Sequence, residues 1–371
     1  MSEIIVTNIN SIGSREMAVT DLDVLAIRPS KSLKWEVIIG DCKTQKLSAV
    51  NRAFWVKGVM DSYKSEDGFL IVKTDRKSGK KIDIDHRLLA NKMGIKIIDE
   101  VDFEDFDKSI HYPYGSSNNN YDLVYLDEIR QFLKSSSALN EINEYLFRDF
   151  WTESDRIVGI RKILNLIRKH RGELDPAKPT HRDTVTLACS IFSISLAECV
   201  GAIFNQYIHP DSREELSSAL KPLLWSGWSQ YNSLNQLKKA LSKPSNSTED
   251  DTKDNDLVLP LWTDFTNLIR GLLDDPRSSF EIPRLFQSLI FDLGNKSEPF
   301  LEYSQKEHLS LLKQSMLVYM YFCRSSRLPR EFESEIINSL AKKQAIIAEI
   351  GLKTSNPPTM PKLITDEEMP F

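Results

Sequence analysis

Apolar positions in the first hundred residues come in short blocks, whereas those of the remainder recur every three or four. Residues 20–27 and 35–43 are apolar runs with acids at defined places, bounded by polar and turn-forming residues, and they read as strands. Residues 46–62 place Leu47, Val50, Phe54, Val59 and Met60 approximately on one side of a helix. Residues 68–74 read as a strand. Residues 83–93 read as a helix whose apolar positions are Ile84, Leu88, Leu89 and Met93, with Gly94 as its stop signal. Residues 95–98 read as a short buried strand. The chain also opens almost directly on a strand, so the expected order is three strands, a helix, a strand, a helix and a last strand. Helices packed on a mixed sheet are the α/β layering such an order favours.

The pattern changes near residue 109. His111-Tyr112-Pro113-Tyr114-Gly115-Ser116 and the asparagines after it form a Pro/Gly/Ser/Asn cluster, so 109–125 reads as a linker. From there to residue 352 the period is helical, over 126–135, 138–147, 153–171, 181–208, 210–223, 229–242, 258–274, 280–292, 305–325 and 330–350. The His209-Pro210 and Asp275-Pro276 steps predict breaks, because the residue before a proline is pushed out of the helical region. Residues 243–256 are polar and acidic and read as a disordered loop. Residues 353–371 read as a tail. No fixed-period repeat is visible, so a solenoid is not expected. The organisation expected is an α/β domain at 1–108, a linker at 109–125, an all-α domain at 126–352 and a tail.

Composition narrows the class. A chain of 371 residues has room for two domains. With 41% hydrophobic and 27% charged residues it has the balance of a soluble globular protein. No uninterrupted apolar run reaches the roughly eighteen residues of a membrane span. The longest candidate, 184–208, is interrupted by Ser190, Glu198 and Asn205. No basic segment followed by an apolar one opens the chain, so no secretory signal is expected. Cysteines stand at 42, 189, 199 and 323 without a C-x-x-C pair, which points away from zinc and disulfides and toward a reducing cytoplasm. No membrane partner is expected.

The formal net charge is −5. Lys and Arg balance Asp and Glu over residues 1–108, at 18 each, and many of those acids crowd between Asp99 and Asp107. Without that segment the α/β part is basic. Such a distribution admits a nucleic-acid substrate but argues against tight, indiscriminate binding, since phosphate neutralisation dominates affinity. It points to a partner protein, or to self-association through the helical domain.

The chemistry concentrates at Asp41-Cys42-Lys43. Side chains two apart on a strand share a face, so Asp41 and Lys43 point the same way and Cys42 points away, into the core. Asp21 and Asp23, also two apart, share a face, and one of them can meet Asp41 across the strand pair. Two carboxylates and a lysine are the minimum equipment for metal-dependent phosphodiester hydrolysis. Mg²⁺ takes oxygen ligands from one or two carboxylates and the substrate phosphate. The ion activates water and polarises the phosphoryl oxygen, and a lysine beside it steadies developing negative charge.

Asp23-Val24-Leu25-Ala26, then an apolar strand ending in Asp41-Cys42-Lys43-Thr44, resembles the PD-(D/E)xK superfamily of restriction-endonuclease-like nucleases over roughly residues 1–108. The resemblance implies a restriction-endonuclease-like α/β fold and catalysis by Asp23, Asp41 and Lys43. It implies Mg²⁺ or Mn²⁺ held by Asp23, Asp41 and the Cys42 carbonyl. Members usually carry a further Glu on an opening helix; here Glu16, in the turn before the Asp21 strand, is the weak stand-in. Asp21 has two readings, a strand-start residue or an accessory ligand. Gln45 either touches phosphate or starts the next helix. Lys46, Arg52 and Lys73 are candidate nucleic-acid contacts, as are Arg161 and Arg168 on the basic, amphipathic 153–171 helix, whose alternative role is a solvated face. Trp225, Trp228 and Tyr231 either stack bases or belong to the core. The function expected is a metal-dependent nuclease acting on DNA rather than RNA. Similarity of layout to effector nucleases suggests prokaryotic antiviral defence as its setting. The alternative is a catalytically silent, nuclease-like binding or scaffold subunit of a larger nucleic-acid-processing complex.

Overall fold

The computed structural model describes residues 4–7, 18–43, 48–73, 82–99, 102–103, 105, 123–241, 256–294 and 308–354. The first part contains a mixed four-stranded sheet, β3 (Val24–Pro29), β4 (Trp35–Lys43), β5 (Asp67–Val72) and β6 (Ile95–Asp99), in that spatial order. β3 and β4 are antiparallel, Val24 facing Gly40 and Pro29 facing Trp35. β4, β5 and β6 run parallel, Lys43 beside Val72 and Val72 beside Asp99. A separate antiparallel pair, β1 (Ile4–Thr7) and β2 (Ala18–Leu22), leads into β3. The strand expected at 20–27 is thus broken at Asp23, a bend residue between β2 and β3.

Parallel strands need crossovers, and two helices supply them. α1 (Ala49–Tyr63) is capped by Ser48, whose hydroxyl accepts from the Asn51 amide at 3.4 Å, and ends at Lys64 in a left-handed conformation. It turns Ala53, Val56, Val59 and Met60 onto the sheet against Val37, Ile39, Leu70, Ile95 and Ile97. Phe54, expected on that side, is 57% exposed. α2 (Ile84–Lys92) departs further from expectation, since its buried residue is Ala90, and Ile84 and Leu88 face solvent at 65% and 54%. Arg87 takes the inward path instead, pairing with Asp99 at 3.3 Å at the end of β6. Gly94 does stop the helix. Its φ is +77°, and a Cβ there would lie 2.8 Å from the Glu66 carbonyl oxygen.

The remainder is helical. It comprises α3 (Leu123–Lys134), α4 (Ser137–Glu144), a π-turn at Tyr145–Asp149, α5 (Phe150–Thr152), a 3₁₀ turn at Arg156–Val158 and α6 (Gly159–His170). Then follow α7 (Pro179–Tyr207), α8 (Arg213–Leu224), α9 (Trp228–Leu241), α10 (Trp262–Leu273), α11 (Pro276–Gly294), α12 (His308–Ser325) and α13 (Arg330–Thr354). The stretch expected as one helix at 153–171 is therefore a 3₁₀ turn followed by α6. Both proline breaks occur, α7 ending at Tyr207 and α11 opening on Pro276. Two other prolines, Pro222 and Pro283, sit inside helices. The 243–256 loop and most of the linker and tail lie outside the described residues. At their borders the expectation needs correction: 123–125 belong to α3, α13 extends to Thr354, and Asp256 is anchored by Lys221 at 2.9 Å and Lys239 at 3.0 Å.

α7 is the axis of this bundle. By length and composition it is apolar enough to cross a membrane, which the broken apolar run did not suggest, and 83% of its most apolar window is buried inside the protein. Some of its hydroxyls are satisfied locally, Thr184 bonding the Thr180 carbonyl at 2.8 Å and Ser193 the Cys189 carbonyl at 2.7 Å, whereas Ser190 reaches across to the Pro283 carbonyl at 2.9 Å. All four cysteines are free.

The turn between β3 and β4 rests on α7. The indole of Trp35 donates to the Ile194 carbonyl at 2.9 Å and lies 4.8 Å from the Phe280 ring, and the Asn205 amide donates to the Ser32 carbonyl at 2.9 Å. Trp35→Phe keeps most of the packing and removes the indole's hydrogen bond to the Ile194 carbonyl, which keeps its place in the α7 backbone ladder. It is expected to cost about 0.5–1.5 kcal/mol in chemical denaturation.

A second polar contact is buried where α3 meets α7. Tyr125 donates its hydroxyl to Asp183, which is buried. Burial pushes the Asp183 carboxyl up to about 6, against a smaller opposing effect of the Tyr125 hydrogen bond. A carboxyl raised on folding stabilises most when protonated. Its contribution is complete below the unfolded value near 3.8 and is lost as pH rises through about 6. Asp183→Asn is expected to flatten this dependence, and to be the more stable protein at pH 7.5 by up to about 3 kcal/mol. Urea denaturation of both proteins at pH 5 and pH 7.5 measures it.

Candidate active site

β4 delivers Asp41 and Lys43 to the carboxyl end of the parallel strands, where open α/β sheets form crevices. The alternation runs opposite to expectation on one point. Val37, Ile39 and Asp41 share the buried face under α1, whereas Cys42 lies on the other, half-exposed face. Asp41 is therefore the buried group, at 2% exposure. A carboxylate so placed needs partners.

It has two. Lys43 Nζ lies 3.0 Å from Asp41 Oδ1. The Arg52 guanidinium, from the first turns of α1, grips the same carboxylate with both arms, Nε donating to Oδ2 at 2.6 Å and a terminal nitrogen to Oδ1 at 2.5 Å. Arg52 in turn lies over the Trp55 ring, 3.5 Å from its centroid. Burial pushes the Asp41 carboxyl up, but the hydrogen bonds from Arg52 and Lys43 outweigh it and hold the group below the usual carboxylate value. Burial acts to lower the Lys43 ammonium; its bonds to Asp41 and Asp23 prevail and raise it. Both side chains are ionised at neutral pH.

Asp23 joins them because the chain bends there. Its Oδ2 accepts from the Cys42 amide at 2.7 Å and from Lys43 Nζ at 3.1 Å. Two carboxylates thus converge on one ammonium. Asp23, Asp41 and Lys43, named together from the sequence, are brought together in space.

No family model, curated protein or solved structure matches the chain. The local geometry must carry the functional reading alone.

The other candidates are scattered. Arg52 is not presented to solvent for nucleic acid but is engaged with Asp41. Lys73 does flank the site: its amide donates to the Lys43 carbonyl at 2.9 Å and its side chain is exposed. Arg161 turns inward over Trp225, 5.2 Å from the ring, so it is not part of a free basic face; Arg168 is half-buried. Trp225 and Tyr231 are core residues at 4% exposure each, which rules them out as an open stacking platform. Trp228 lines a cavity of about 600 Å³ with Asp155, Tyr207 and Glu215, within the helical part and away from Asp41. Glu16, Gln45 and Lys46 lie outside the described residues. For Asp21 only the backbone is described, paired with Ile5.

Arg52 and Trp55 are what sequence reasoning missed as residues that shape the site. The available signal was an arginine soon after Asp-x-Lys in the following helix, with an aromatic three positions on.

Among the described residues no group of three or more His, Cys, Asp or Glu side chains assembles as a metal cage. The donor set here is two carboxylates, hard oxygen donors of the kind Mg²⁺ and Mn²⁺ take alongside water and phosphate. It fits such an ion on the condition that Arg52 releases Asp41.

Proposed function

We propose that the chain is a metal-dependent nuclease, with Asp23, Asp41 and Lys43 as its catalytic residues on a restriction-endonuclease-like α/β domain. The observation that carries this reading is the convergence of the Asp23 and Asp41 carboxylates on Lys43, at 3.1 and 3.0 Å. The mixed sheet, with its crossover helices and the acids at its carboxyl edge, is compatible with it. Asp23, Asp41 and the Cys42 carbonyl would hold Mg²⁺ or Mn²⁺, which supplies Lewis-acid polarisation of the phosphoryl group and a more acidic water. Lys43, held between both carboxylates, orients that water and meets developing charge on the phosphate oxygens. Lys73 flanks the path of the substrate backbone. DNA is the preferred substrate, and the helical part, in this reading, receives a partner or an activating signal.

The test is incubation of the purified chain with plasmid, linear DNA and RNA in Mg²⁺ or Mn²⁺, with chelator as control. Cleavage that persists in both Asp41→Ala and Lys43→Ala removes the assignment.

A second reading has its own observation. Because Arg52 occupies both oxygens of Asp41, the chain could instead be a silent, nuclease-like binding or scaffold subunit. It would then bind nucleic acid or protein equally well with and without chelator, and turn nothing over.

A further inference from the structure

The contact that favours the silent reading admits another role, one that rests on the nuclease proposal and deepens it. Asp23 and Asp41 carry two negative charges, and Lys43 and Arg52 carry two positive ones, all within contact distance. The constellation is neutral, so little attraction remains for a divalent ion. Asp41 is buried, and an incoming ion must displace something to reach it. Lys43 is the less free of the two cations, because it bonds both carboxylates from the strand that carries Asp41. Arg52 arrives on a long side chain from a helix, contacts only one of the carboxylates, and has 19% of its side chain exposed. Trp55 gives the guanidinium a flat surface on which to lie.

We propose that Arg52 is a resident stand-in for the metal, an autoinhibitory contact that a divalent cation must break, so that Arg52 sets the metal affinity of the site. A planar fork matched to a carboxylate gives a definite, bidentate closed state. Lysine cannot reproduce it.

The measurement is Mn²⁺ affinity of the full chain, by the loss of the free-ion signal in electron paramagnetic resonance, without nucleic acid. Arg52→Gln is expected to bind Mn²⁺ at least about tenfold more tightly than the wild type. Arg52→Lys, which keeps the charge and loses the fork, is expected to gain about threefold. It also guards against Arg52→Gln failing to fold with Asp41 short of a partner. Lys57→Gln removes a positive charge on the same helix that pairs with Asp61, not Asp41, and is expected to change affinity less than about twofold. Asp41→Asn in the Arg52→Gln background is expected to return binding to the wild-type level or below.

Equal Mn²⁺ affinity in the wild type and both Arg52 variants overturns the stand-in role and leaves the nuclease reading in place. A gain in Lys57→Gln as large as in Arg52→Gln overturns it too, reducing the effect to net charge. Absence of binding in every variant at millimolar Mn²⁺ overturns the stand-in role and the metal-dependent reading together.

Discussion

Under the proposed nuclease function, Asp41→Ala and Lys43→Ala are each expected to lower cleavage by about a thousandfold or more at saturating Mg²⁺. One preorganised donor at a developing charge is worth about 10²–10³ in rate, and in the proposed mechanism Asp41 holds the ion as well. The two variants should differ in stability. Removing Asp41 leaves Arg52 and Lys43 close together without the carboxylate they share. Loss of one partner of a buried pair costs about 3–5 kcal/mol, reduced here because those cations keep 19% and 23% of their side chains exposed. Removing Lys43 leaves Asp41 still clamped by Arg52, and the loss of stability should be the smaller one. Cleavage rates and urea midpoints on the same preparations separate chemistry from folding. The sign of the pH effect also follows. Asp41 has a carboxyl lowered on folding, so its contribution is present above its unfolded value near 3.8 and disappears only as pH falls through the still lower folded value. Acid above about pH 4 should not release the clamp.

Gly201→Val is expected to be the most disruptive single change away from the site. Gly201 lies in α7 against the β3–β4 turn, and a Cβ there would sit 2.0 Å from the Leu33 carbonyl oxygen. Leu33 is held with a φ of 57° and is buried against Ala197 and Phe280. A carbonyl cannot move aside as the end of a flexible side chain can, so the turn must lift. Lifting it breaks the Trp35–Ile194 and Asn205–Ser32 hydrogen bonds together. Overpacking of this kind costs about 1–3 kcal/mol, and the coupled loss of two hydrogen bonds puts the expected total above about 3 kcal/mol. Indole fluorescence in urea and the thermal midpoint measure the loss. The same strand that begins at Trp35 ends at Lys43. Cleavage by the whole preparation is expected to fall with the stability, and Gly201→Ala should fall between the wild type and the valine variant on both measures.

The site shows how far periodicity reaches. That Asp41 and Lys43 share a face follows from a period of two, and the spacing of residues within one strand is enough to state it. Asp23 can be paired with them because the intervening run is short enough to return as an antiparallel neighbour. That the chain bends at Asp23, freeing the side chain to accept from the Cys42 amide, has no signature in a run of apolar residues. Nor does the run say which face of β4 is covered. By residue type Cys42 belongs in the core and Asp41 in the open, yet α1 covers the Asp41 side. On α2 the apolar Ile84 and Leu88 face out and Arg87 faces in, because Asp99 at the end of β6 offers it a carboxylate.

The succession of elements, acid-bearing strands and crossover helices first and then a long helical series, is written in the residues themselves. It follows from interactions within a few positions, which fix backbone conformation locally. Three features are absent from that record: Arg52 closing over Asp41, Arg161 lying over the buried Trp225, and Gly201 seating the turn at Leu33. Each joins groups from different elements, and the packing that brings them within reach leaves no period in the chain.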